Sequence, residues 1–161
     1  MQKIIKTLIG LALLTMGLVV LSGWLFHLPL MVQFKLGMVP MVFNTALCFA
    51  VTGVALALPE SNQPWLLRLQ TAIGLLLIVF CSFIFVSIVT DHNLGIDWPS
   101  LHIWIGDGNT RPGRMAPNTA LSFIAIGFAL MIIPRVASRS QARAARLLTF
   151  VVLGLGTTGL V

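Results

Sequence analysis

Residues 44–58 read NTALCFAVTGVALAL, and residues 118–132 read NTALSFIAIGFALMI. Eight of the fifteen aligned positions are identical, including the opening Asn-Thr-Ala-Leu. Self-similarity between distant segments of one chain is the signature of an internal structural repeat. We therefore expect two copies of one helical unit.

The composition of the chain is that of a membrane protein. Of its 161 residues, 58% are apolar and 9% are charged, whereas soluble domains have roughly 45–50% and about 25%. Four acidic and ten basic residues cannot cover a soluble globule of this size. The composition excludes a cytosolic enzyme, a disordered regulator and a secreted disulfide scaffold. Cys48 and Cys81 lie in apolar runs and are predicted to be small buried hydrophobic residues.

Five apolar runs are predicted to span the membrane as helices, since a spanning segment must satisfy its own backbone polar groups. The predicted spans are 4–27, 44–58 with an extension from 41, 66–90, 118–133 and 147–161. The first run exceeds the apolar region of a signal peptide and no cleavage site follows it, so we expect it to be retained. The predicted fold class is an all-α, polytopic helical bundle.

The spans are predicted to form tandem hairpins within a single membrane domain, 1–161. Residues 4–59 form the first repeat, residues 66–134 the second, and residues 147–161 begin a third. The second helix of each complete repeat starts on the same side of the membrane. The repeats are therefore expected to be parallel, related by an axis along the membrane normal.

The basic residues predict a cytoplasmic N-terminus. In that orientation seven of the ten lie in cytoplasmic segments and three in outer loops, as the positive-inside rule requires. Four of the seven recur at helical spacing on one face, which we interpret as a flank that contacts lipid headgroups or a partner: Arg135, Arg139, Arg143 and Arg146. This flank explains the net charge of +6 without nucleic acid.

The positions that the two repeats share fall on one stripe of each helix. Small residues in such a stripe allow helix backbones to approach in lipid. We therefore predict helix–helix packing through Phe49, Gly53, Leu56, Phe123, Gly127 and Leu130.

Asn44 and Asn118 begin the two repeated helices and allow two interpretations. Each side chain could cap its helix by accepting a backbone N–H bond. Alternatively, the two helix starts could form a shared outer binding mouth for an anionic or carbonyl-bearing ligand. The predicted ligand-binding residues are Asn44, Thr45, Asn118, Thr119, Arg111 and Arg114. The outer loop before Asn118 is expected to contain a short helix that starts with Asp97 as its cap.

No cofactor is predicted. His27 and His92 end the first and third spans, so they are the weak metal candidates and leave a b-type haem as an alternative. The sequence contains no HExxH, CxxC or GxSxG motif and no phosphate-binding glycine loop. We therefore expect no enzymatic activity.

One string in the outer loop carries a resemblance. Residues 112–121 read PGRMAPNTAL, preceded by Gly95-Ile96-Asp97 and Trp104-Ile105. This pattern resembles the N-terminal multi-helix membrane region of bacterial sensor histidine kinases and GGDEF diguanylate cyclases. That family places helix pairs with an NTAL-type motif before cytoplasmic output modules. The resemblance implies a bacterial inner-membrane location, and it implies that a closing helix and an output domain lie outside this chain.

These features lead to three functional hypotheses. The first is a membrane-embedded sensory input module for two-component or cyclic di-GMP signalling. The alternatives are an accessory subunit of a larger membrane complex and a small facilitator channel. The expected partners are membrane lipids and either a second copy of the chain or the helices of another membrane protein.

Overall fold

The computed structural model of this protein describes residues 2–33, 35, 38–59, 63–92, 94–106, 111–132 and 154. These residues form helices, turns and loops, and no strand lies among them. The predicted all-α class is therefore confirmed. The helices are α1 (Gln2–Leu25), α2 (Pro29–Val32), α3 (Phe43–Ala57), α4 (Pro64–Thr90) and α5 (Pro117–Ile132), with 3₁₀ turns at Pro99–Leu101 and Ile103–Ile105.

The four long helices begin and end within two residues of the predicted limits. Prolines mark two of the starts: Pro64 and Pro117 occupy first-turn positions, where the missing N–H costs nothing. α4 ends at Asp91, which takes the left-handed conformation with φ 58° and so stops the helical bond ladder. Of the predicted extension of the second span over residues 41–43, only Phe43 is helical, because α3 begins there.

Two helices are long and apolar enough to cross a membrane, judged by length and composition. They are Lys3–Leu25 within α1, with 23 residues, and α4, with 27. The other two long helices are apolar but have 15 and 16 residues, fewer than the roughly 20 that span a bilayer. The fifth predicted span, 147–161, lies outside the described residues apart from Gly154, and so does the predicted basic flank at Arg135, Arg139, Arg143 and Arg146.

The chain divides into two compact units. Unit 1 comprises Met1–Ala57 and Asn93–Met115, and unit 2 comprises Leu58–His92 and Ala116–Val161. α1 packs against α3 in unit 1, and α4 packs against α5 in unit 2.

The contact between α1 and α3 in unit 1 depends on glycine. A Cβ atom on Gly10 would lie 2.5 Å from the backbone nitrogen of Ala57, and one on Gly17 would lie 2.6 Å from that of Ala50. Gly53 faces the backbone of Gly10 and Leu14 from the opposite helix. A side chain at any of these glycines would force the two backbones apart. Two other predicted packing residues on α3, Phe49 and Leu56, are half-buried.

The contact between α4 and α5 in unit 2 is reciprocal. A Cβ atom on Gly74 would lie 2.6 Å from the carbonyl oxygen of Gly127, and a Cβ atom on Gly127 would lie 2.6 Å from that of Gly74. Phe123 and Leu130 are buried on the same stripe of α5 as Gly127. This helix therefore presents one continuous stripe of buried residues.

The core of unit 1 lies near the end of α1 that leads into α2. Its buried members are Val20, Trp24, Val32 and Ala46. Residues that pack against them include Trp104 and Ile105, which come from the loop that precedes α5. The same core therefore joins α1, α2 and α3 to a loop that is distant in the chain.

Candidate functional site

A loop closes one end of unit 1. We call residues 94–106 and 111–115 the cap loop, and we call the side chains of Trp24, Phe43, Asn44, His102 and Trp104 the cap cluster. α1 supplies the first member, α3 supplies the next two, and the cap loop supplies the last two. Each member contacts another member or the backbone of the cap loop.

His102 links the cap loop to the start of α3. Its Nε2 accepts the backbone N–H of Phe43 at 3.2 Å, one of the N–H groups that a helix leaves without an internal partner. Its Nδ1 lies 3.0 Å from the carbonyl oxygen of Trp98. A carbonyl oxygen can only accept, so Nδ1 carries the hydrogen and His102 is the neutral Nδ1–H tautomer. The side chain is only 3% exposed.

Trp24 fixes the cap cluster to α1. The indole is 1% exposed, and its Nε1 donates to the carbonyl oxygen of Met41 at 2.9 Å. Its ring centroid lies 4.2 Å from that of His102 and 5.5 Å from that of Trp104. Aromatic pairs at such distances add about 0.5–1.5 kcal/mol each to burial. A second pair, Phe43 with Trp98, packs edge to face at 5.3 Å.

Asn44 forms the second link between α3 and the cap loop. Its Nδ2 donates to the carbonyl oxygen of Ile96 at 3.0 Å, and the side chain is 0% exposed. In the described part of the chain, its Oδ1 has no hydrogen-bond donor, and the Nε1 of Trp104 has no acceptor. Buried polar atoms of this kind normally have a partner in the protein or an ordered water.

Gly113 closes the cap loop over His102. The residue has φ 84°, and a Cβ atom there would lie 2.8 Å from the Nδ1 of His102 and would also clash with the carbonyl oxygen of Asp97. Burial raises the pKa of the Asp97 carboxyl above its ordinary value of 3.8, while Arg114 and His102 act in the opposite direction. Burial of the Asp97 carboxyl in the cap loop therefore disfavours its ionised form.

The predicted ligand-binding residues divide between the two units. Unit 1 contains Asn44 and Thr45, both buried, together with Arg111, which is exposed, and Arg114, which is half-buried. Unit 2 contains Asn118 and Thr119, both half-buried.

Neither asparagine occupies the N-cap position, because α3 and α5 each begin one residue earlier than predicted. Asn44 uses its amide on Ile96 rather than on its own helix. The Oδ1 of Asn118 accepts the backbone N–H of Thr119 at 2.9 Å, so it does satisfy one N–H group of the first helical turn.

The expected helix within the cap loop consists of two 3₁₀ turns. Pro99 lies in the first turn of the first, as predicted, but the preceding cap position belongs to Trp98, with φ 41°, and not to Asp97. His102 lies between the two turns, which places its ring toward α3.

The two histidines considered for haem lie in different units. His27 packs edge to face against Trp104, with centroids 5.0 Å apart, in unit 1. His92 has its Nδ1 2.7 Å from the carbonyl oxygen of Thr90 in unit 2. No group of three or more His, Cys, Asp or Glu side chains that could hold a metal ion occurs among the described residues.

Reasoning from the sequence missed His102 and the roles of Trp24 and Trp104. The available signal was the spacing of Trp98, His102 and Trp104 within one short loop, since a histidine flanked by tryptophans in a loop of a membrane protein needs a buried partner.

Comparison of the chain with protein-family models, with curated proteins and with solved structures finds no significant match.

Proposed function

We propose that this chain is the membrane-embedded input module of a signal-transduction protein, with the cap cluster as its stimulus-responsive part. One observation carries the proposal: the cap loop is held to α3 by two side-chain hydrogen bonds, from Phe43 to His102 and from Asn44 to Ile96. Breaking these bonds would give the loop a second arrangement, and a stimulus that favours one of the two arrangements shifts the population.

The Oδ1 of Asn44 is the atom of the cap cluster best placed to receive a ligand. It is buried and lacks a donor among the described residues, so a ligand N–H or O–H would supply the missing bond. The missing bond favours a small polar ligand that carries a hydrogen-bond donor. The helix N-termini alone predicted an anionic or carbonyl-bearing ligand, and the donor group is an added requirement.

The helix pairs support transmission of the signal. α1 meets α3 at Gly10 and Gly53, and α4 meets α5 at Gly74 and Gly127. Gly10 and Gly74 each follow an isoleucine and precede a leucine, and Gly53 and Gly127 match in the repeated segment. We propose that the two pairs are copies of one hairpin, and that each moves as a rigid body when the cap loop shifts.

The proposed setting is the bacterial inner membrane, with the N-terminus in the cytoplasm and five spans. α1 and α4 meet the length and composition of spanning helices. The shorter α3 and α5 would cross with the help of the loop residues next to them. The output domain would follow this chain in the complete signalling protein.

A chimera tests the proposal. The chain is fused, through one added transmembrane helix, to a cytoplasmic reporter enzyme, and basal output is measured for wild type, Asn44→Ala and Asn118→Ala. We expect Asn44→Ala to change the output, because it removes the link from α3 to Ile96. Asn118→Ala removes the bond to the backbone of Thr119 within its own helix and should change the output less.

Val39→Ala is the matched control, because Val39 is 86% exposed. Protein level and thermal stability are measured in parallel for each variant. Output and stability that both equal wild type for Asn44→Ala would contradict the proposal.

A further inference from the structure

We infer that the cap loop is a proton-operated latch, in which protonation of His102 releases the loop from the start of α3. The inference rests on the proposed function and names its stimulus. It depends on the geometry of one imidazole, whose two ring nitrogens both have assigned partners within unit 1.

The closed latch and a protonated imidazole exclude each other. Nδ1 already donates to the carbonyl oxygen of Trp98, so an added proton must bind at Nε2. That atom accepts the backbone N–H of Phe43, and two donors cannot share one hydrogen bond. Uptake of a proton at Nε2 therefore requires the loss of the bond between His102 and Phe43.

The groups around the His102 ring belong to α1, α3 and the cap loop. Trp24 on α1 and Phe43 on α3 contact His102 and carry no charge. Among the described residues, the titratable or charged groups beside it are Asp97 and Arg114 of its own loop, and an ionised Asp97 would attract the protonated ring. A Cβ atom on Gly113 would lie 2.8 Å from Nδ1, so the backbone of the cap loop passes close to this side of the ring.

Opening the latch breaks one of the two side-chain hydrogen bonds described between the cap loop and α3. The bond from Asn44 to Ile96 remains, 52 residues apart in the chain, while the first turn of α3 loses the acceptor for Phe43. Ile103, next to His102, is 70% exposed, so the loop segment that must move is already at the surface.

The direction of the pH effect follows from linkage. A histidine that is neutral in the closed state and accepts a proton in the open state stabilises the closed state above the ordinary histidine pKa of about 6.5. Below that pH the opening constant should rise about tenfold per pH unit, as for any change linked to one proton. Acid is therefore the stimulus that opens the latch.

The first test uses the full chain, labelled with ¹⁵N-histidine, in nanodiscs of zwitterionic phospholipid. Long-range ¹H–¹⁵N spectra report the tautomer of each histidine. At neutral pH we expect His102 to carry its hydrogen on Nδ1. An Nε2–H tautomer at neutral pH would overturn the inference.

The second test is hydrogen exchange of the Phe43 amide across the same titration, corrected for the intrinsic pH dependence of exchange. We expect protection of this amide and of residues 98–102 to be lost together as His102 takes up its proton. Protection that stays constant through the titration of His102 would overturn the inference.

Two variants complete the design. In His102→Gln the side-chain carbonyl can accept the backbone N–H of Phe43 but takes up no proton. Protection of the Phe43 amide should therefore no longer depend on pH. In His92→Gln an exposed ring of unit 2 is removed and the pH response should be retained. If protection of the Phe43 amide in His102→Gln depends on pH as in wild type, the inference is overturned. A lower stability of this variant does not change that conclusion, since low stability alone does not create a pH dependence.

Different experimental outcomes would contradict the latch and the proposed function. Acid-dependent exchange in nanodiscs, combined with unchanged chimera output in Asn44→Ala, would remove the sensory function and leave the latch. A chimera that responds to Asn44→Ala while Phe43 stays protected at all pH values would remove the latch and leave the sensory function.

Discussion

At the scale of single residues, the cap loop is held by hydrogen bonds from buried neutral groups and contains one partly buried carboxyl. His102 and Asn44 are almost fully buried and uncharged, so each bond is formed in a setting of low dielectric, where it is electrostatically strong. Asp97 is the exception. Burial raises the pKa of its carboxyl, which means that the folded loop favours the protonated form.

Asp97→Asn should therefore stabilise the protein at neutral pH. The stabilising contribution of an acid whose pKa is raised on folding is present at low pH and is lost as the pH rises through the raised pKa. The variant cannot ionise, so it should keep that contribution at every pH. We expect a higher unfolding temperature than wild type at neutral pH and no difference near about pH 3, below the ordinary Asp pKa.

Asp91→Asn, at an exposed aspartate outside the cap loop, is measured in parallel as a comparison. A lower unfolding temperature for Asp97→Asn at neutral pH would mean that the attraction between Asp97 and Arg114 outweighs the cost of burial.

Sequence reasoning located the two asparagines at helix starts but not their partners. The partner of Asn44 lies 52 residues away, and His102 and Phe43 are 59 residues apart. No local pattern links positions at such separations, because the contact depends on how a loop folds back over a helix end. The side chains were therefore predictable as polar groups near one end of a helix, whereas the latch that they form was not.

At the scale of elements, the two helices of each pair approach each other closely at small residues. Gly74 and Gly127 contact each other reciprocally, each with its missing Cβ facing the other's carbonyl oxygen. The limits of α4 and α5 were predictable from apolar runs that prolines and an aspartate interrupt. The matched glycines were visible in the repeat, since close approach of helices in lipid favours residues without bulk.

Gly127→Ala should destabilise the contact between α4 and α5. The added Cβ would lie 2.6 Å from the carbonyl oxygen of Gly74, and overpacking of this kind costs about 1–3 kcal/mol. The free energy of unfolding in mixed detergent micelles measures the effect.

Gly154→Ala is the matched control, because no atom of the described residues lies within 4 Å of its Cβ position. Alanine in an open helical position is more favourable than glycine by about 1 kcal/mol, so this variant should be as stable as wild type or more so. Equal stability of Gly127→Ala and wild type would show that the two helices separate readily.

At the scale of the whole molecule, the described chain consists of two units, each built on one pair of packed helices. Composition alone predicts an all-helical membrane protein, since so few charged residues can serve only a small aqueous surface. The direction of insertion rests on the positive-inside rule and needs its own test.

Cysteine labelling tests the orientation. Ser100 in the cap loop and Gln63 before α4 are exposed, whereas the native Cys48 and Cys81 are buried. With a cytoplasmic N-terminus, Ser100→Cys should react with a membrane-impermeant maleimide in intact spheroplasts. Gln63→Cys should react only after lysis. Labelling of both positions from the same side would exclude the proposed topology.

The length of α3 has a consequence for lipid. Fifteen residues at a rise of about 1.5 Å each give a helix of about 22 Å, some 8 Å less than the hydrocarbon thickness of an ordinary bilayer. In the proposed spanning arrangement, non-helical backbone at that depth is tolerated only where protein covers it, and Trp98 covers the start of α3 by packing edge to face against Phe43. The acyl-chain length of the lipid should therefore change how well the Phe43 end of α3 is shielded. Short-chain lipids should relieve the mismatch between helix length and hydrocarbon thickness, and long-chain lipids should increase it.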